Sequence, residues 1–380
     1  MATHVSRSAR AVGCLVGGAV GDALGAPVEF FDLNEIRRQY GSRGILALEP
    51  NSAGLAHVTD DTQMTMFSGE GLLEMRARER SREQCSAAGR RPVDNTGMRP
   101  VLEAYHRWLV TQGSRPETGP GTVYAGMRED AVSAVLSAGK LVHVPRLRAR
   151  RAPGATCLEA LQTGVHTTPD RPRNNSKGCG GVMRVAPVGI IAADPVSAFR
   201  LGFQLAALTH GHPSGYITAG VLAFMISMLM DGEDLARTAQ QAIAVARNPA
   251  LHGGCPTAPG DSGEETARAL EQAIGLSASG APATPETVER LGAGWVAEEA
   301  LAIGLFAALT FPRDFPSAVR LAVNHSGDSD STGSICGNIA GAIIGAAAIP
   351  RLFCQELELR REVRRLAIGL NDARGLTADV

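Results

Sequence analysis

From about Arg10 to Leu24 the apolar residues Val12, Leu15, Val16, Ala19, Val20 and Ala23 recur at the three-and-four spacing of a helix with one buried face. Gly13, Gly17, Gly21 and Gly25 fall four apart on one stripe of that helix. Gly333, Gly337, Gly341 and Gly345 repeat the pattern in a second helix, expected to run to about Ala348. A glycine inside a helix costs up to about 1 kcal/mol relative to alanine. Two such stripes make sense if another backbone approaches each closely, and the spacing predicts that the two helices cross in the core through adjacent ridges. Two Ala/Gly-rich core helices that never meet are the plainer alternative.

A third helix is expected from about Asp60 to Arg80, with Met64, Phe67, Leu72 and Met75 on one face, followed by a basic, polar end and loop over 76–99. Further helices are expected near 99–111, 126–142, 195–208, 213–230, 233–247, 263–276, 292–310, 314–324 and 355–371, with Pro195 and Pro213 in first-turn positions. The stretches 112–125, 248–262 and 277–286 read as Gly/Pro/Ser-rich loops. No solenoid repeat and no linker between two cores is visible. The reading is all-α: a flexible tail over 1–8 and one compact domain over 9–375.

Composition supports that class. Forty-four glycines and few aromatics suit closely packed helices better than a β-sandwich. The 37 Lys and Arg nearly balance the 38 Asp and Glu, so no charge excess demands nucleic acid or a membrane. No uninterrupted apolar run reaches the roughly 18 residues of a membrane span. The seven cysteines, at 14, 85, 157, 179, 255, 336 and 354, are odd in number and form no C-x-x-C pair. They read as buried free thiols in a reducing compartment, and with no secretory features at the N-terminus the expected location is the cytoplasm. Arg146, Arg148, Arg150 and Arg151, like the basic stretch after Arg76, read as solvated faces, with a docking surface for an acidic partner as the sharper alternative.

Four segments carry chemistry. Thr59-Asp60-Asp61-Thr62 and Gly327-Asp328-Ser329-Asp330-Ser331-Thr332 lie almost at opposite ends of the chain, each beside a glycine stripe. Dense hydroxyl and carboxylate oxygens suit a hard divalent cation. Each motif also reads as a helix start, with an N-cap and first-turn acids favoured by the macrodipole. Asp-x-Asp-x-Thr matches the nucleophile motif of haloacid-dehalogenase-like phosphatases, but the apolar strand that motif needs is replaced by Asn324-His325-Ser326-Gly327. The third segment, Ser176-Lys177-Gly178-Cys179-Gly180-Gly181-Val182-Met183-Arg184, has small residues and two cations fit to cradle an anion, although it is no Walker A loop. No base is implied beside Cys179, which reads as structural. In the fourth, Thr209-His210-Gly211-His212-Pro213, His210 reads as substrate-lining or as a capping histidine.

Together, GCLVGGAVGDALGAPVEF (13–30), VTDDTQM (58–64), SKGCGGVMRVAPVG (176–189), LTHGHPSGY (208–216) and NHSGDSDSTGSICGNIAGA (324–342) resemble the ADP-ribosylglycohydrolase family, in the family's order. The resemblance implies a compact all-α domain with two Mg²⁺ or Mn²⁺ ions. It implies Thr59, Asp60, Asp61, Asp328, Asp330 and Ser331 as metal ligands, Ser331 standing where many members have Thr. Glu29 is similar to a mobile glutamate near the substrate ribose. Ser176, Gly178, Gly180, Gly181 and Arg184 resemble the diphosphate-binding segment, with His210 lining the ADP-ribose site. The implied reaction is water attack at the anomeric carbon, releasing ADP-ribose from a modified protein side chain, most simply arginine. Asp60, Asp61, Asp328 and Glu29 are the candidates to move the proton. O-linked or small ADP-ribose derivatives are rival substrates. The segments also look like the branch that holds immunity proteins, so a regulatory protein that binds ADP-ribose or captures an ADP-ribosyltransferase toxin is the alternative of a different class.

Overall fold

A computed structural model describes residues 5–87, 97–252 and 262–377. The described residues hold seventeen α-helices joined by short 3₁₀ turns, and no strand beyond isolated bridges. In chain order they are α1 (Arg7–Gly25), α2 (Leu33–Tyr40), α3 (Asp60–Ala87), α4 (Arg99–Thr111), α5 (Glu129–Ser137), α6 (Ala155–Gln162), α7 (Ala186–Ile191), α8 (Pro195–Ala207) and α9 (Pro213–Met230). Then come α10 (Leu235–Ala246), α11 (Ser262–Ala278), α12 (Pro285–Val288), α13 (Ala297–Thr310), α14 (Phe315–Val323), α15 (Ser329–Ile344), α16 (Arg351–Glu356) and α17 (Arg360–Asp372). One large core unites most of them, and a small satellite cluster of Tyr124, Val132 and Leu136 sits under α5. α9 is apolar on every face and lies among α7, α8, α11 and α13, as a helix without a polar side must.

The two glycine helices do meet, and they do more than cross. α1 and α15 run antiparallel, and each four-residue step on one matches a four-residue step back on the other. Gly13 faces the Gly341 carbonyl, Gly17 that of Gly337, Gly21 that of Gly333 and Gly25 that of Ser329. A methyl group at any of these four positions would overlap the facing backbone. Polar contacts fix the register: Asn338 Nδ2 donates to the Cys14 carbonyl at 2.9 Å, and Arg10 Nη1 donates to the Ala342 and Ile343 carbonyls at 3.0 Å, closing the C-terminus of α15. Gly345 is not an interior member of the stripe. Its φ of +74° ends α15 at Ile344, short of Ala348.

Other boundaries also differ. α1 begins at Arg7, where Ser6 Oγ accepts the Ala9 amide, so the helix starts inside the segment read as tail; residues 1–4 lie outside the described residues. α3 continues through the basic stretch to Ala87, helped by Arg76–Glu79 at i,i+3 and by Arg78 pairing with Glu103 of α4. The rest of the expected 76–99 loop, over 88–96, lies outside the described residues, as does most of 248–262. The helix expected over 126–142 stops at Ser137 because Gly139 has φ +83°. The one expected from 292 starts at Ala297, after Gly292 and Gly294 at φ +113° and +81°. The 355–371 segment is split by Leu359 at φ +57°. α1 with its following turn and α9 are long and apolar enough to cross a membrane, and both are core helices here.

Candidate active site

Seven chain segments converge on one cavity. The α1–α15 register places the start of α15 beside the C-terminal end of α1 and, through Asp22, beside the start of α3. Asp22 is fully buried, and both its oxygens are engaged. They accept the Thr59 amide at 3.0 and 3.1 Å, the Thr59 hydroxyl at 2.9 Å, the Thr62 amide at 3.1 Å, and the Thr62 hydroxyl. One carboxylate of α1 thus holds the first turn of α3. Beyond α1 a 3₁₀ turn with Pro27 delivers Glu29 to the same place. Asp328 caps α15 by accepting the Ser331 amide at 3.3 Å, and its other oxygen takes the Cys179 thiol at 2.7 Å. Ser331 Oγ reaches Asp61 Oδ1 at 3.4 Å, across the two motifs.

Burial and mutual repulsion dominate the electrostatics. Desolvation, then the Asp330 charge, pushes Glu29 up to about 9 and Asp22 up to about 7. The same causes hold Asp60, Asp61 and Asp328 well above the usual carboxylate range. Carboxyl oxygens of Glu29, Asp328 and Asp330 lie within 4.8 Å of one another. Asp61 Oδ2 is buried with no hydrogen-bond partner. Among the described residues, neither lysine nor arginine lines the cavity.

The opposite wall comes from residues 152–157 and 178–180. Ala152 sits at φ +45°, turning the chain so that the Gly154 amide donates to Asp60 Oδ2 at 3.2 Å. The uncapped N-terminus of α6 follows and faces the cavity. Lys177–Cys179 pairs with 295–297: the Cys179 amide donates to the Trp295 carbonyl at 3.1 Å and the Ala297 amide to the Lys177 carbonyl at 2.9 Å. That pairing brings the half-exposed Trp295 to the rim. There Phe30, beside Glu29 and exposed, stacks on it with centroids 5.9 Å apart.

Known proteins match the whole chain. The ADP-ribosylglycohydrolase family model covers residues 3–379. This chain belongs to the ADP-ribosylglycohydrolase family. Its relatives include the ADP-ribosyl-(dinitrogen reductase) glycohydrolase of Rhodospirillum rubrum, 26% identical with 97% of each chain covered. ADP-ribosylhydrolase ARH3 of Mus musculus is 23% identical, with 94% of this chain and 90% of the relative covered. A solved structure titled ADP-ribosylglycohydrolase-related protein complex shares the fold at a TM-score of 0.59 and 23% identity, covering 97% of this chain and 99% of that one. The protein is therefore a hydrolase of this family.

Against the family's motifs, the structure brings Glu29, Asp60, Asp61, Asp328, Asp330 and Ser331 to one cavity. Thr59 stays behind it, its hydroxyl donating to Asp22 and accepting the Asp61 amide at 3.3 Å. Gly178, Gly180 and His210 line the cavity. Ser176 and Gly181 do not: the Ser176 hydroxyl accepts the Gly178 amide at 3.3 Å, and Gly181 packs on Ala206. Arg184 corrects the anion-cradle reading most sharply. It is fully buried, its guanidinium 4.5 Å from the Tyr105 ring centroid, and it is not among the residues that line the cavity. Two amides of the loop, at Gly178 and Cys179, are also spent inside the protein. The open helix end at α6 and the aromatic Trp295 take over as the wall's binding features. Cys179 faces the acids instead of an inert core, though burial and the Asp328 charge keep its thiol protonated.

Members of this family use a divalent metal centre. The residues here fit one. Clustered carboxyl oxygens, an orphaned buried oxygen on Asp61 and no lysine or arginine in the lining make an anionic hole that hard cations neutralise.

Proposed function

We propose that this protein hydrolyses the bond between ADP-ribose and a modified protein side chain, arginine in the first instance, with two Mg²⁺ or Mn²⁺ ions held by Asp60, Asp61, Asp328, Asp330 and Ser331. One observation carries this reading: acids from both ends of the chain meet in a single buried cavity whose lining holds no balancing lysine or arginine. When bound, the ions supply positive charge that anchors ribose hydroxyls and acidifies a water.

The protein's own groups do the rest. Cleavage breaks the bond at the anomeric carbon and builds positive charge on the sugar, which the surrounding carboxylates stabilise. The guanidinium, already protonated while attached, leaves as a neutral guanidine that takes a proton from solvent, while water adds to the anomeric carbon and gives its proton to a carboxylate of Asp60, Asp61 or Asp328. Glu29, at the cavity's mouth, contacts the ribose. The N-terminus of α6 and the His210 ring face the diphosphate. Trp295, backed by Phe30, offers the adenine a stacking face. Cys14, Cys157, Cys179, Cys336 and Cys354 are free thiols, which supports action in a reducing compartment, the cytoplasm.

The test is ADP-ribose release from an arginine-ADP-ribosylated protein, with Mg²⁺ or Mn²⁺ and with chelator. Release that needs the metal and is lost in Asp328→Asn supports the reading. Release unaffected by chelator overturns the metal assignment. Release only from serine-linked or small ADP-ribose derivatives overturns the arginine assignment.

A further inference from the structure

Arg184 is buried without a carboxylate partner. Nη1 points at Cys157 Sγ (3.3 Å) and Met64 Sδ (3.7 Å), Nε has no partner, and Nη2 makes the one strong bond, to Thr209 Oγ1 at 2.6 Å. Burying a guanidinium with no carboxylate beside it is costly, and the Tyr105 ring face only partly offsets that cost. A use for that charge is found one residue beyond Thr209.

The Thr209 oxygen receives the Arg184 proton and has one proton of its own to give. Its acceptors are the Ala206 carbonyl at 3.5 Å, His210 Nδ1 at 2.8 Å and the Cys157 sulfur, a weak acceptor. The shorter bond takes the proton. The reverse arrangement would fill both lone pairs of the Thr209 oxygen with N–H donors, one of them cationic, and leave its own proton only the longer contact to the Ala206 carbonyl. Nδ1 is therefore the acceptor, and the ring proton sits on Nε2. Burial, then the Arg184 charge, pushes His210 down to about 3, so the ring is neutral. Nε2 faces the glycine turn of the cavity wall, 3.5 Å from where a Cβ on Gly178 would lie and 3.3 Å from one on Gly180.

We propose that Arg184 and Thr209 are positioning residues that hold His210 as its neutral Nε2–H tautomer, aiming a single hydrogen-bond donor at an anionic oxygen of the bound ADP-ribose. The inference rests on the substrate reading above only for the identity of that oxygen. An imidazole fixed this way has no lone pair facing the cavity. It donates to the substrate without competing with the carboxylates for a divalent ion.

The test reads the tautomer directly, in protein labelled with ¹⁵N at histidine, by long-range ¹H–¹⁵N correlation without substrate. The His210 signal is assigned from its loss in His210→Gln. The expected wild-type pattern is protonated Nε2 and unprotonated Nδ1, unchanged between about pH 6 and 8. Thr209→Val is expected to lose that pattern and to weaken ADP-ribose binding about tenfold. Thr209→Ser is expected to restore both. A wild-type ring protonated at Nδ1, or at both nitrogens, overturns the proposal, as does a Thr209→Val protein that keeps the Nε2–H pattern. Wild-type protein with the expected tautomer but no affinity for ADP-ribose overturns the substrate reading alone.

Discussion

Gly17 lies against the main-chain carbonyl of Gly337, with no side chain between them. In an ordinary helix Gly→Ala gains up to about 1 kcal/mol. Here the added methyl meets backbone that cannot move aside, and overpacking of that kind costs about 1–3 kcal/mol. Gly17→Ala is expected to lower the urea midpoint. Gly275→Ala, on α11 where a Cβ meets nothing within 4 Å, is expected to raise it. Shifts of the same sign in both variants would refute the close-approach argument.

Asp22 touches no solvent and lines no part of the cavity, yet it accepts both the amide and the hydroxyl of Thr59 and of Thr62. It orients the turn that carries Asp60 and Asp61. Removing such outer support weakens metal sites about 10–100-fold. Asp22→Ala is expected to show a Mn²⁺ dissociation constant raised by that factor in calorimetry. Unaltered Mn²⁺ affinity in a folded Asp22→Ala protein would count against the role.

The acid cluster sets a pH dependence that metal should flatten. Glu29, at about 9, and Asp22, at about 7, have folded values above their unfolded ones. Their contribution to stability is fully present below the unfolded value, about 4, and is lost as pH rises through the folded values. The melting temperature of chelated protein is therefore expected to fall from pH 5 to pH 9, and the fall to shrink with excess Mg²⁺. A chelated protein whose melting temperature rises over that window would contradict the assigned shifts.

Trp295 is half-exposed at the rim, so its removal leaves the core intact. Stacking of a base on an aromatic ring contributes about 1–3 kcal/mol. Trp295→Ala is expected to weaken ADP-ribose binding by roughly one to two orders of magnitude with little change in melting temperature. Equal weakening for ribose 5-phosphate, which has no base, would assign the loss to something other than adenine.

What the sequence makes legible here is whatever repeats or clusters. The four-residue glycine period implied a backbone partner, and two stripes implied each other. The paired acid motifs announced an oxygen-rich site because no core tolerates such density without a counterion. Arg184 was misread because adjacency to a glycine turn says nothing of direction: the helix that starts at Ala186 carries the preceding turn inward, and the guanidinium goes to Tyr105. The wall at 152–157 was missed because Ala152-Pro153-Gly154 looks like any loop, and its use depends on one φ of +45°. Trp295 belongs to no motif. Only its pairing with the 177–179 strand-like segment brings it to the cavity, and such pairing is a tertiary fact. Asp22 stood in plain view beside Gly21, but its four hydrogen bonds link α1 to α3, which lie far apart in sequence.

Because the glycine stripe of α1 is matched by α15, more than 300 residues later, synthesis and assembly are separated in time. The first helix leaves the ribosome with an apolar, glycine-lined flank that nothing made so far can cover. At ordinary translation speed the wait is on the order of tens of seconds. The site is completed late, since a chain stopped anywhere before residue 328 carries Glu29, Asp60 and Asp61 but neither Asp328 nor Asp330. Nascent α1 accordingly stays without its glycine-matched partner until α15 has been made.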